Sequence, residues 1–232
     1  MRDVRDVRDV DVTVDEAPAL DVDGRRPPTA VAVKELAALC DRVEDGGPAV
    51  AVLRVTGAPA ADWTDGLDTA LVTKWERTLR RFERLPAVTV AVAAGDTGGT
   101  ALDAFLTADL RLAAPGTRLV LPSDGEATWP GMAVLRLVRL LGAGRARRAV
   151  LFGDPIDAEQ ALALGLADTL TAAPEATLAA LTTRYAAHAG TELAVRRQLL
   201  LDAATTPFED ALGSHLAACD RALRRHPTQE PA

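Results

Sequence analysis

Three residues at a strand-to-helix junction, Gly98, Gly99 and Thr100, followed one turn later by Asp103, have the clearest chemical content in the sequence. They come after a β-branched run, VTVAVA (88–93), and Gly95, and they open a helical pattern. A missing Cβ lets something approach the backbone closely. The first N–H groups of a helix lack partners within it, and its dipole is positive at that end. Such amides can hold a developing oxyanion. Asp103 reads either as a carboxylate serving that chemistry or as a solvated first-turn acid on an ordinary helix.

Other chemistries lack their residues. A Walker loop needs Lys-Ser/Thr after its glycines, and the two lysines, Lys34 and Lys74, both precede them. GDTGGTALD does not supply the three glycines of a dinucleotide fingerprint. The two serines, Ser123 and Ser214, are not in a GxSxG elbow, and His188, His215 and His226 show no ligand spacing and read as exposed or helix-terminal. Cys40 and Cys219 stand far apart with no CxxC, which predicts two buried, reduced thiols and neither a zinc site nor a disulfide framework. No cofactor is expected.

With 232 residues, 48% of them hydrophobic and 25% charged, the chain is long enough to bury a full core. A net charge of −7 and eight aromatic residues argue against nucleic-acid binding, which needs a positive face and stacking surfaces. No apolar run reaches membrane-spanning length and the first ten residues are charged, so the cytoplasm is the expected compartment.

The elements that must position the junction follow from periodicity. MRDVRDVRDV (1–10) has a period of three that fits neither helix nor strand and reads as a disordered leader. Alternation over 11–23 predicts a half-buried strand or hairpin closed at Asp23-Gly24. Thr29 then caps a helix with Ala32, Leu36, Leu39, Cys40 and Val43 inward, ending at Gly46-Gly47. AVAVLRV (49–55) reads as a strand buried on both faces. A loop and a helix follow, with Leu71, Trp75, Leu79 and Phe82 on one face, Arg77, Arg80, Arg81 and Arg84 on the other, and Pro86 as the stop.

The strand, loop, helix, strand, Gly-Gly, helix order implies an α/β fold with a parallel sheet. Short strands are expected at 110–114 and 118–122, then a helix with a core stripe of Met132, Leu135, Val138 and Leu141. Asp157 with Gln160 forms a capping-box pattern and Gly165 a C′ glycine, before two or three helices over 174–225.

In order along the chain, TG (56–57) with DGLD (65–68), LPAVTVAVAAGDTGGTALDAFLTAD, LPSDGEATWPGMAVLRLVRLLG and ARRAVLFGDPIDAEQALALGLAD resemble segments of the enoyl-CoA hydratase/isomerase, or crotonase, family. The resemblance covers roughly residues 11–172. It implies a crotonase-like spiral of ββα units over 11–172, a helical C-terminal region over 173–232, and a homotrimer or hexamer. It also implies an acyl-CoA thioester substrate, with coenzyme A as part of the substrate, its carbonyl oxygen held by two main-chain N–H groups.

Carried over by position, those amides fall at Asp65, beside Gly66, and at Thr100, after Gly99. The family's first catalytic glutamate falls at Asp103 and its second at Ser123, with Asp124 and Glu126 as neighbouring substitutes. Arg25 and Arg26 fall near the nucleotide, and Gly98 and Trp129 beside the substrate. GDTGGTALDAFLTAD and ATWPGMAVLRLVRLLG further resemble crotonase-like dehydratases of 3,5-dihydroxyphenylglycine formation in antibiotic biosynthesis. That implies dehydration and aromatisation to 3,5-dihydroxyphenylacetyl-CoA beside a type III polyketide synthase. A crotonase-fold partner that stimulates the synthase without catalysis, and a generic enoyl-CoA hydratase or isomerase, stand as alternatives.

Overall fold

A computed structural model describes residues 17–225. The leader at 1–10 and His226 therefore lie outside the described residues, as does the first part of the 11–23 strand. What is seen of that strand is β1 (Ala19–Asp23), which runs parallel to β2 (Val50–Gly57) and forms no hairpin among the described residues. Between them Thr29 caps α1 (Ala30–Glu44), its hydroxyl accepting the Ala32 N–H at 3.0 Å. Leu36, Leu39, Cys40 and Val43 of α1 are buried, as their spacing predicts.

Asp68 caps α2 (Thr69–Phe82), which buries Trp75, Leu79 and Phe82. Its opposite face is only partly solvated: Arg81 reaches across to Asp41 and Glu44 of α1 and ties the two helices together.

β3 (Val88–Gly98) carries the spiral. Its first half pairs with β2 and, over Val90–Ala93, with β4 (Leu110–Ala113); its last three residues, Asp96–Gly98, pair instead with β5 (Arg118–Val120). All of these pairs are parallel, so β4 and β5 do not form a hairpin across Pro115-Gly116. The strand changes partners around Gly95, whose φ of +67° a side-chain-bearing residue rarely adopts. It then runs directly into α3 (Gly99–Phe105), every residue of which is buried.

α4 (Met132–Leu141) and α5 (Ala143–Phe152) cross over to β6 (Ile156–Asp157), which pairs antiparallel with β5. The predicted stripe on α4 is rotated. Ala133, Leu137 and Leu141 face the core while Met132 and Leu135 are 40% and 38% exposed. The i, i+4, i+8 row that begins at a small residue fits against α3, and it leaves Arg136 beside the carboxylates of α2.

Asp157 and Gln160 form the expected capping box of α6 (Ala158–Ala163), and β7 (Thr169–Leu170) joins the far edge beside β4. α7 (Pro174–Tyr185), α8 (Thr191–Ala203) and α9 (Phe208–Arg225) complete the C-terminal region. Arg197 of α8 fastens it to the sheet, bonding both oxygens of Asp109 and the carbonyls of Leu85 and Ala87. No residue of α9 is buried, so Cys219 is exposed, against expectation, while Cys40 is buried. No helix among the described residues is long and apolar enough to cross a membrane.

Candidate functional site

The C-terminal ends of β2 and β3 bring the two glycine-bearing turns together, because the parallel pairing sends both strands out on the same side. What touches the Gly98-Gly99 turn is protein. The Trp63 indole lies so close to Gly99 that a Cβ there would stand 2.8 Å from three of its ring atoms. Gly99 also has φ +50°, so glycine is required on two counts. Trp63 is 3% exposed and its Nε1–H donates to the Gly24 carbonyl at 3.1 Å.

The loop that holds Trp63 is a succession of tight turns. The Trp63 N–H donates to Ala60, the Asp65 N–H to Asp62 at 2.9 Å, and the Leu67 N–H to Thr64. The first amide expected at the oxyanion thus has a partner within its own loop. Thr100 is 2% exposed, and its hydroxyl donates to the Arg26 carbonyl at 2.8 Å, which pins the start of α3 to the turn after β1.

A cleft of about 250 Å³ lies between this loop and the turn at 122–130, with Ala60, Trp63 and Thr64 on one wall and Ser123, Asp124, Thr128 and Trp129 on the other. Trp63 and Trp129 meet edge to face, their centroids 6.0 Å apart. Ser123 is exposed, its Oγ accepting the Gly125 N–H. Asp124 is spent on its own turn, accepting the N–H groups of Glu126 and Ala127 at 2.9 Å each, and those bonds hold its carboxyl below the usual range. Glu126 is exposed and does not line the cleft.

A second cavity of about 410 Å³ opens on the other side of Thr100, bounded by Asp21, Asp23, Arg26, Glu35 and Trp75 among others. Arg26 faces this cavity, whereas Arg25 borders a separate one with Arg54 and Pro174 and is paired with Asp23 at 2.9 Å. The two arginines adjacent in sequence therefore attend mainly to different spaces.

Asp103, on α3, is 6% exposed and lines neither cavity. It is not a solvated first-turn acid. Burial first, and then the Glu76 carboxylate, push its carboxyl up to about 7; Arg136 and the Ala133 N–H at the start of α4 pull the other way. Arg136 hydrogen-bonds Glu76 at 2.7 Å and stands 3.6 Å from Glu83 and 3.8 Å from Asp103. Periodicity missed Trp63, Glu76, Glu83 and Arg136. An arginine inside the apolar run MAVLRLVRLL and a glutamate next to a core tryptophan were the available signs.

Comparison with known proteins fits this architecture. The family model for enoyl-CoA hydratase/isomerase matches residues 61–230. An "Enoyl-CoA-hydratase" from Amycolatopsis orientalis is 55% identical over 210 residues, which is 90% of this chain and 97% of that protein. Among solved structures, an enoyl-CoA hydratase/isomerase from Marinobacter aquaeolei superposes with a TM-score of 0.74 at 19% identity, over 92% of this chain and 90% of that one. An enoyl-CoA hydratase from Shewanella pealeana gives 0.72 at 17% identity, over 93% and 83%. These two carry the fold; the family rests on the model match and the Amycolatopsis relative. The chain belongs to the enoyl-CoA hydratase/isomerase (crotonase) family.

Proposed function

We propose that this chain acts on a polyketide-derived CoA thioester as a dehydratase/tautomerase in the formation of 3,5-dihydroxyphenylacetyl-CoA, beside a type III polyketide synthase. The thioester oxygen is held by the main-chain N–H groups of Asp65 and Thr100, and Asp103 moves the proton. The observation that carries this reading is the position of Asp103, buried three residues from Thr100 with Glu76 and Arg136 gathered beside it; burial and the Glu76 carboxylate push its carboxyl up to about 7. A proton-transfer group works best with a pKa near the operating pH.

Ser123 speaks against the two-carboxylate route of ordinary hydration, in either direction. Where the family places a second carboxylate this chain has a hydroxyl engaged with Gly125. Addition of water by two carboxylates therefore lacks a partner, whereas loss of water from a cyclised β-keto thioester is driven by aromatic-ring formation and needs one. The Asp65 amide becomes available once loop 58–67 swings, breaking its bond to Asp62 and carrying Trp63 off Gly99. A closed homo-oligomer in the cytoplasm, a trimer or a pair of trimers, completes the proposal.

A second reading, a crotonase-fold partner that stimulates the synthase without catalysis, is favoured by one feature: Trp63 and the Asp62 carbonyl occupy the place and the donor that the thioester would use. Mass spectrometry of products from malonyl-CoA and the synthase, with this protein or its Asp103→Asn variant, separates the two. A rise in dihydroxyphenylacetyl-CoA with the wild type alone supports the enzyme. An equal rise with the variant supports the partner, and crotonyl-CoA hydration by the chain alone would return it to the generic hydratases.

A further inference from the structure

The charge cluster enclosed by α2, α3 and α4 holds three carboxylates, Glu76, Glu83 and Asp103, against two guanidinium groups, Arg80 and Arg136. Four of these side chains are nearly dry: Asp103 is 8% exposed, Arg136 10%, Glu83 12% and Glu76 14%, with Arg80 at 33% on the rim. The short contacts are already assigned. Arg136 gives its hydrogen bond to Glu76 at 2.7 Å, and Arg80 gives one to Glu83 at 2.8 Å. Asp103 is the carboxylate left over, 3.8 Å from an Arg136 Nη1 that has no hydrogen-bond partner.

We propose that Asp103 stands protonated in the resting protein, and that Glu76 and Arg136 are positioning residues which make it a proton donor before it is an acceptor. This rests on the reading of Asp103 as the group that moves the proton.

The groups facing Asp103 decide the charge state. From α2 come the Glu76 carboxylate, the Glu83–Arg80 pair and the Trp75 indole, whose Nε1–H makes no hydrogen bond of ordinary geometry; from α4 come Arg136 and the Ala133 N–H. A third anion in a dry site with no cation of its own is costly, and a carboxyl there takes up a proton instead. The proton falls to Asp103 rather than Glu76 because Glu76 accepts the charged hydrogen bond that would be lost on protonation. The raised Asp103 carboxyl agrees with that arrangement.

Asp103 lines neither cavity at rest, so the substrate meets it only after loop 58–67 has swung; the proposed elimination then balances on one residue. Asp103 gives its proton to the β-hydroxyl and the C–O bond breaks, its electron pair leaving on water. The α C–H pair becomes the new C=C bond, and the α-proton returns to the Asp103 carboxylate. No second base is required.

Infrared difference spectra between wild type and Asp103→Asn, recorded across pH in the absence of substrate, read the Asp103 proton directly. Expected is a carboxylic-acid carbonyl band at pH 6 that fades through neutrality. In Glu76→Gln the fading moves down by about one pH unit, the size a neighbouring charge produces, and the alkaline limb of the turnover profile, where the donor proton is lost, moves with it. Glu83→Gln, whose nearest cation is Arg80, moves it less. A carboxylate band already present at pH 5 in wild type, or a titration that ignores Glu76→Gln, overturns the proposal. If Glu76→Gln does not fold, the wild-type spectrum alone decides. A protonated Asp103 without any turnover upholds the charge assignment and defeats the enzymatic reading instead.

Discussion

The Trp63 indole rests on the α-carbon of Gly99, within 2.8 Å of where a Cβ would be. Gly99→Ala should therefore cost roughly 1–3 kcal/mol, from steric overlap together with a left-handed backbone. In a Trp63→Ala background the overlap is gone and only the conformational part remains, so the same change should cost less. A double-mutant cycle by urea unfolding checks this; strict additivity would show that the indole does not bear on Gly99.

Asp103 makes stability depend on pH in a definite direction. Its folded carboxyl is raised from 3.8 to about 7, so the native protein binds the proton more tightly than the unfolded chain does. The contribution is fully present below about pH 4 and is lost as pH rises toward 7. Asp103→Asn, which carries no such proton, should gain stability relative to wild type between pH 5 and pH 8, by a few kcal/mol at most. Denaturant midpoints of the two proteins across that range give the difference; a flat difference means Asp103 is ionised throughout.

Arg197 is 7% exposed and bonds Asp109 and two carbonyls that face the interior. Truncating it leaves a partly buried carboxylate and two acceptors without their donor. Arg197→Ala should cost about 3–5 kcal/mol and release α8 and α9 to protease before the sheet unfolds. Chemical denaturation and limited proteolysis read these separately, and a loss below 1 kcal/mol would show that the clamp is idle.

The two thiols should separate cleanly. Cys40 is buried, and burial pushes its pKa up to about 12, while Cys219 is exposed on α9. A disulfide reagent should titrate one thiol quickly in the native protein and two after unfolding. Protection of Cys219 as well would mean that α9 is covered in solution.

The parts of this fold legible in the sequence are those governed by local rules. Thr29 and the Asp157–Gln160 box start helices where their side chains reach backbone N–H groups. β2 and β3 are continuous apolar runs because both their faces are covered. What stayed hidden depends on tertiary neighbours. The α4 stripe was misplaced because Ala133 packs inward where larger Met132 and Leu135 do not, and nothing local gives that rotation. Cys219 was expected inside because free cysteines commonly are, yet it lies on a helix with no buried residue.

At the site, the glycines marked a place of close approach, and the approaching group in the described residues is Trp63, 36 positions before Gly99 in the chain rather than a neighbour in sequence. Asp103 was found by position, but its environment was not, since Glu76 and Arg136 reach it from two other helices.

In the proposed function, two main-chain amides from separate turns hold a thioester oxygen once loop 58–67 has moved. A crystal structure with a non-hydrolysable acyl-CoA analogue tests it most directly. The carbonyl oxygen is expected within hydrogen-bond reach of both the Thr100 and Asp65 N–H groups, with the Asp65–Asp62 bond broken and Trp63 lifted from Gly99. An analogue bound elsewhere, with Trp63 still seated on Gly99 and Asp65 still bonded to Asp62, would contradict it.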